Sequence, residues 1–103
     1  MDIAKGDLVL ATAGREKGKT FFVVDIRDEY LLLADGKSRR LEAPKRKKRK
    51  HVQRAAAGAG ELAAKIRSSE IITNSELRKA LAVYHGENGN QDQEGSALWQ
   101  NPT

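Results

Sequence analysis

Hydrophobic residues in the first third of the chain fall in three runs of strand length. One occupies 8–13 and stops at Gly14, a second occupies 21–26, and a third occupies 30–34. Runs this short, bounded by Gly, Asp and charged residues, predict β-strands. Arg27-Asp28-Glu29 reads as a turn, and Asp35-Gly36 as a two-residue hairpin. The predicted strands are therefore 7–13, 20–26, 30–34 and, after the Asp-Gly turn, 37–42. The fourth has Leu41 as its only large apolar side chain and places Arg39 and Arg40 on opposite faces, a pattern suited to an edge. Pro44 ends it, because proline cannot donate to a ladder. In the second strand Phe22, Val24 and Ile26 alternate with Phe21, Val23 and Asp25. The Phe22 face is assigned to the core, since burying Asp25 unpaired would be costly.

The pattern changes after residue 54. Residues 55–60 read AAAGAG, a small-residue linker or a frayed helix start. Leu62 and Ile66, four apart, predict a short amphipathic helix over 61–69. A second helix has a clearer start. Thr73 and Glu76 form a capping box, and Ile72 and Leu77 a hydrophobic staple around it. Leu77, Ala80, Leu81 and Tyr84 then recur on one face, and Gly86 is the expected stop. This helix is expected to dock on the sheet, on its Phe21 side. From Glu87 the chain turns polar and mildly acidic, which predicts a disordered tail over 87–103. Ala97, Leu98 and Trp99 are its only apolar cluster, read as incidental or as a short docking motif.

A chain of 103 residues carries a prior of one domain with a small core. It contains no cysteine, which excludes disulfides and thiolate metal sites. No apolar run approaches the ~20 residues of a membrane span, and the N-terminus lacks the layout of a signal peptide. The expectation is a soluble cytoplasmic protein. Net charge is +5, but residues 31–54 alone hold ten basic and two acidic groups, six of the cations without a break from Lys45. A block of one sign is an interaction surface or a solvated arm, and positive charge points to a polyanion.

Gly6-Asp7 leading a strand, Gly14 closing it, and Lys17-Gly18-Lys19 before the next strand resemble the KOW motif of ribosomal proteins and transcription elongation factors. The resemblance covers about the first half of the chain. Elongation-factor versions commonly have glycine where Phe21 stands; the apolar residue and the later Asp-Gly are closer to the ribosomal branch. The resemblance implies a mainly β fold with C-terminal α: a small SH3-like β-barrel over 1–54, including the basic extension, then one or two short helices over 55–86. It also implies a last strand closing the barrel, for which 50–53 is the candidate, and RNA as partner.

The RNA-binding candidates are then the loop cations Arg15, Lys17 and Lys19, followed by Arg39, Arg40, Lys45, Arg46, Lys47, Lys48, Arg49, Lys50 and His51. Cations neutralise phosphates and release counterions, giving affinity without sequence information. The alternative for the run is a solvated arm, a charge-protected edge or a nuclear import signal; for the loop it is a plain strand connection. Phe21, Phe22, Tyr30 and Tyr84 are candidates for base stacking, or for the core. His51 and His85 have no cysteine or paired carboxylate spacing, so no metal, cofactor or catalytic constellation is expected. The leading expectation is a non-enzymatic, monomeric RNA-binding protein acting on ribosomal RNA, with ribosomal proteins as further partners. The alternatives are an SH3-like protein-interaction module of a transcription or translation complex, and non-specific duplex DNA binding.

Overall fold

The computed structural model describes residues 2–87. Five strands form one antiparallel sheet: β1 (Leu8–Ala11), β2 (Thr20–Arg27), β3 (Tyr30–Ala34), β4 (Lys45–Lys48) and β5 (Val52–Ala56), in the order β4-β3-β2-β1-β5. Two helices follow, α1 (Gly60–Arg67) and α2 (Asn74–Glu87). The two edge strands are consecutive in sequence and joined by a single 3-10 turn, Arg49–His51. A flat five-stranded sheet would hold its edges ~19 Å apart. Four Cα steps from Lys48 to Val52 reach at most ~15 Å. The sheet must therefore curl, and it does so without a β4–β5 ladder.

Curling gives the sheet two buried faces. The inner face collects Val9, Ala11, Phe21, Val23, Leu31, Leu33 and Val52. The outer face carries Leu8, Phe22 and Ala34 under Ile66 of α1 and Leu77 and Leu81 of α2. This reverses two expectations: Phe21 and Val23 line the inner core, and α2 docks on the Phe22 side. The cause is a bulge in β2. Val23 pairs with Leu33, but the next paired residue is Asp25, opposite Leu32. The extra residue turns Ile26 to the inner face with Phe21 and Val23. Asp25 is carried off that face and accepts from the Ile26 N–H and the Arg27 guanidinium at 2.8 and 2.9 Å. The burial cost that argued against the Phe21 face never arises.

Three further expectations are corrected. Residues 37–42 form no strand. After β3, the Asp35 carboxylate accepts from the N–H groups of Lys37 and Arg39 and from the Ser38 hydroxyl, making a self-bonded loop rather than a two-residue hairpin. Backbone groups of this region bond to α2: the Leu41 N–H donates to Asn74 Oδ1 at 2.8 Å, and Arg78 donates to the carbonyl of Gly36, just before the segment, at 2.6 Å. Side chains of α2 thus supply what a ladder would have supplied. The fourth strand begins after Pro44 and consists of the basic run itself. Finally, the strand expected at 50–53 is shifted: residues 49–51 are the 3-10 turn, and β5 extends into the alanines to Ala56.

The capping box forms as expected. The Glu76 N–H donates to Thr73 Oγ1 at 3.1 Å and the Thr73 N–H to Glu76 Oε1 at 2.9 Å. Lys65 Nζ reaches Glu76 at 3.1 Å and ties α1 to α2. The buried Asp7 carboxylate accepts from the Ala4 and Gly58 N–H groups, at 2.9 and 2.8 Å, fastening the start of the chain to the segment between β5 and α1. Among the described residues, no helix is long and apolar enough to cross a membrane. Glu87 still belongs to α2; the rest of the expected tail, with Trp99, lies outside the described residues.

Candidate nucleic-acid interface

Strand β4 reads Lys-Arg-Lys-Lys, and its partner β3 reads Tyr-Leu-Leu-Leu-Ala. Pairing runs Lys45 with Leu33, Arg46 with Leu32, Lys47 with Leu31 and Lys48 with Tyr30. Alternation then divides the four cations between two faces. Lys45 and Lys47 fall on the inner side with Leu31 and Leu33, where their methylene stems cover apolar surface. Arg46 and Lys48 fall on the outer side with Tyr30 and Leu32. The Arg46 guanidinium stands 4.7 Å from the Tyr30 ring centroid, and Lys48 Nζ stands 6.0 Å from it. Both distances suit attraction between a cation and the ring face.

The inner cations share one acidic residue, Glu16. It is buried within the loop between β1 and β2. Its carboxylate accepts from Arg39 Nη2 at 2.6 Å and lies 3.9 Å from both Lys45 Nζ and Lys47 Nζ. The Arg39 hydrogen bond holds this carboxyl below its usual range; burial opposes it, and the charges of Arg39, Lys45 and Lys47 add to the lowering. Lys47 is itself only 8% exposed. A buried pair of this kind survives because each charge satisfies the other.

Glu16 is fixed by the loop's own backbone. The Lys17 N–H donates to the Gly14 carbonyl, Lys19 to Glu16, and Gly18 to Ala11, at 3.2, 2.9 and 2.9 Å. Gly14, at φ +83°, provides the left-handed turn that starts this loop. The arrangement sends Glu16 inward and leaves Arg15, Lys17 and Lys19 exposed.

The twelve expected site residues therefore occupy different positions. Arg15, Lys17 and Lys19 project from the loop. Arg46 and Lys48 flank Tyr30. Arg49, Lys50 and His51 form the 3-10 turn at the far end of β4, with the His51 carbonyl accepting from the Thr12 N–H at 2.8 Å. Arg39, Lys45 and Lys47 gather on Glu16, and Arg40 lies 3.6 Å from Glu42. Of the stacking candidates, Phe21 and Phe22 belong to the cores and Tyr84 packs against the helix-covered one; Tyr30 stays half-buried beneath its cations. Sequence reasoning missed Glu16. Its one signal was an acid set among the three cations of a short loop.

No protein-family model matches the chain, and no curated protein matches it significantly.

Proposed function

We propose that this protein is a non-enzymatic RNA-binding protein of the KOW type, with the curled sheet serving as an SH3-like barrel and ribosomal RNA as its target. The observation that carries this reading is the split of β4. Lys45 and Lys47 share the Glu16 carboxylate with Arg39 on the inner side, while Arg46 and Lys48 remain on the outer face around Tyr30. Charge protection of an edge strand asks only for a charge. Two cations held on a half-buried aromatic ring instead present charge-assisted donors for phosphate, and the guanidinium plane of Arg46 offers a surface on which a base can stack. Arg49 and Lys50 extend the cationic strip beyond Lys48, and the cations of the loop between β1 and β2 form a second group.

The test is a titration of single-stranded RNA, duplex RNA and duplex DNA, followed by anisotropy at two salt concentrations. Salt-dependent binding that favours RNA supports the reading. Equal affinity for duplex DNA would replace it with non-specific polyanion binding, and absence of binding would remove it.

A further inference from the structure

On the face that carries α2, an open cleft of about 470 Å³ lies between the loop after β1, the turn after β3, and the C-terminal half of α2. Small-molecule sites span roughly 300–1,000 Å³. Its rim is cationic. Lys19 and Lys37 line it from two different loops, are exposed, and make no ion pair among the described residues. Arg78 spends one N–H on the Gly36 carbonyl and keeps further donors. Asp35 is the carboxylate of the lining, but both its oxygens are engaged by Lys37, Ser38 and Arg39. The floor is apolar, made by Leu81 and the exposed Ala82, and the His85 ring stands beside it.

We propose that this cleft binds one nucleotide, the base lying over Leu81 and Ala82 against His85, and the phosphate held by Lys19, Lys37 and Arg78. Apolar floor, planar side group and the three cations of the lining match the three parts of the ligand, since unstacked bases rest on flat side chains and phosphates take charge-assisted hydrogen bonds. The inference rests on the RNA-binding reading for its source, a nucleotide displaced from a strand; a free nucleotide offers the same chemistry. The sheet supports the strand source. Tyr30 opens β3, and Asp35, directly after its last residue, lines the cleft, so the Arg46–Tyr30–Lys48 group and the cleft lie toward opposite ends of that strand.

The experiment uses the full chain and three probes: an RNA hairpin with one bulged adenosine, the same hairpin without the bulge, and AMP. Two variants accompany it, Ala82→Gln to fill the floor and Lys37→Gln to remove a rim charge, each checked by thermal melt. The wild type should bind the bulged hairpin about five- to tenfold more tightly than the paired one. Both variants should lose that preference while holding the paired hairpin within about threefold. Equal wild-type affinity for the two hairpins, or a preference that survives both variants, overturns the cleft proposal and leaves the RNA-binding reading standing. AMP binding that Ala82→Gln abolishes, with no hairpin binding, supports the cleft with a free nucleotide and removes the RNA-binding reading. Binding of none of the three probes overturns both.

Discussion

The carboxylate of Glu16 and the ammonium of Lys47 face one another at 3.9 Å, both on buried residues. The first comes from a loop of exposed cations and the second from the middle of an unbroken basic run. Each therefore behaves unlike its neighbours in sequence: Glu16 is a structural acid, and Lys47 a core-covering base. Arg39, at 2.6 Å from the same carboxylate, joins the turn after β3 to this pair.

Glu16→Gln keeps the shape of the side chain and removes its charge. Hydrogen bonds to charged partners favour a loss in the range of 1–3 kcal/mol, and a third-exposed Arg39 and Lys45 place it at about 1–2 kcal/mol. Denaturant melts at neutral pH measure it. The pH dependence has a definite sign. The folded carboxyl titrates below its unfolded value, so the unfolded chain binds more protons in between, and stability falls with acid. The gap between wild type and variant should be constant above about pH 4.5 and close as the pH drops further. Asp25, Asp35, Glu42 and Glu76 are also lowered, but they act equally in both proteins. A gap that persists in acid would mean that the Glu16 charge is not what joins loop and strand.

Salt dependence distinguishes the two faces of β4. Each phosphate contact on single-stranded RNA contributes ~0.7 to the slope of log affinity against log salt. The double variant Arg46→Gln, Lys48→Gln should flatten that slope by about 1.4. Lys47→Met should leave it nearly unchanged, because its ammonium already faces Glu16. Comparable flattening by Lys47→Met would show that Lys47 leaves Glu16 to meet RNA.

Gly36 and Gly18 offer a paired test of how α2 docks. Both have positive φ, +79° and +91°. A Cβ at Gly18 would meet open space, whereas one at Gly36 would collide with the Asn74 carbonyl at the start of α2. Gly18→Ala should cost only the backbone strain, about 1 kcal/mol. Gly36→Ala adds overpacking against helix backbone, a further ~1–3 kcal/mol. Equal losses in chemical denaturation would mean that α2 does not rest on this turn.

What was legible in the sequence followed from local chemistry. The runs ending at Gly14, at Arg27-Asp28-Glu29 and at Asp35-Gly36 gave three strands at nearly their observed bounds, and the capping box gave the start of α2 within a residue. The misread parts depended on non-local contacts. Residues 37–42 had strand-compatible composition, but Asn74, more than thirty positions later, claimed the Leu41 N–H, and Arg78 claimed the carbonyl of Gly36 just before the segment. The basic run read as a phosphate-binding segment after the fourth predicted strand, because six cations carry no hydrophobic alternation; it forms a strand because β3 supplies a ladder and Glu16 offers its inner lysines a carboxylate. The loop cations were placed correctly as exposed groups, while the acid between them gave no sign that it would turn inward.

The face assignment of β2 failed for a subtler reason, and it can be tested directly. Period-2 alternation assumes an unbroken ladder, and the bulge between Val23 and Asp25 breaks it. Phe21 is fully buried in the inner core, and Phe22 lies under the helices. Truncating either residue to alanine should cost about 3–5 kcal/mol. Their local consequences differ. Phe22→Ala removes a contact surface of α2, so amides of α2 should exchange with solvent faster than those of β2 and β3. Phe21→Ala should accelerate exchange in the strands together with α2, because it weakens the sheet on which the helix rests. Hydrogen exchange on the two variants decides between them. If Phe21→Ala alone releases α2 and Phe22→Ala does not, the helix docks on the opposite face of the sheet and the bulge does not redirect Ile26.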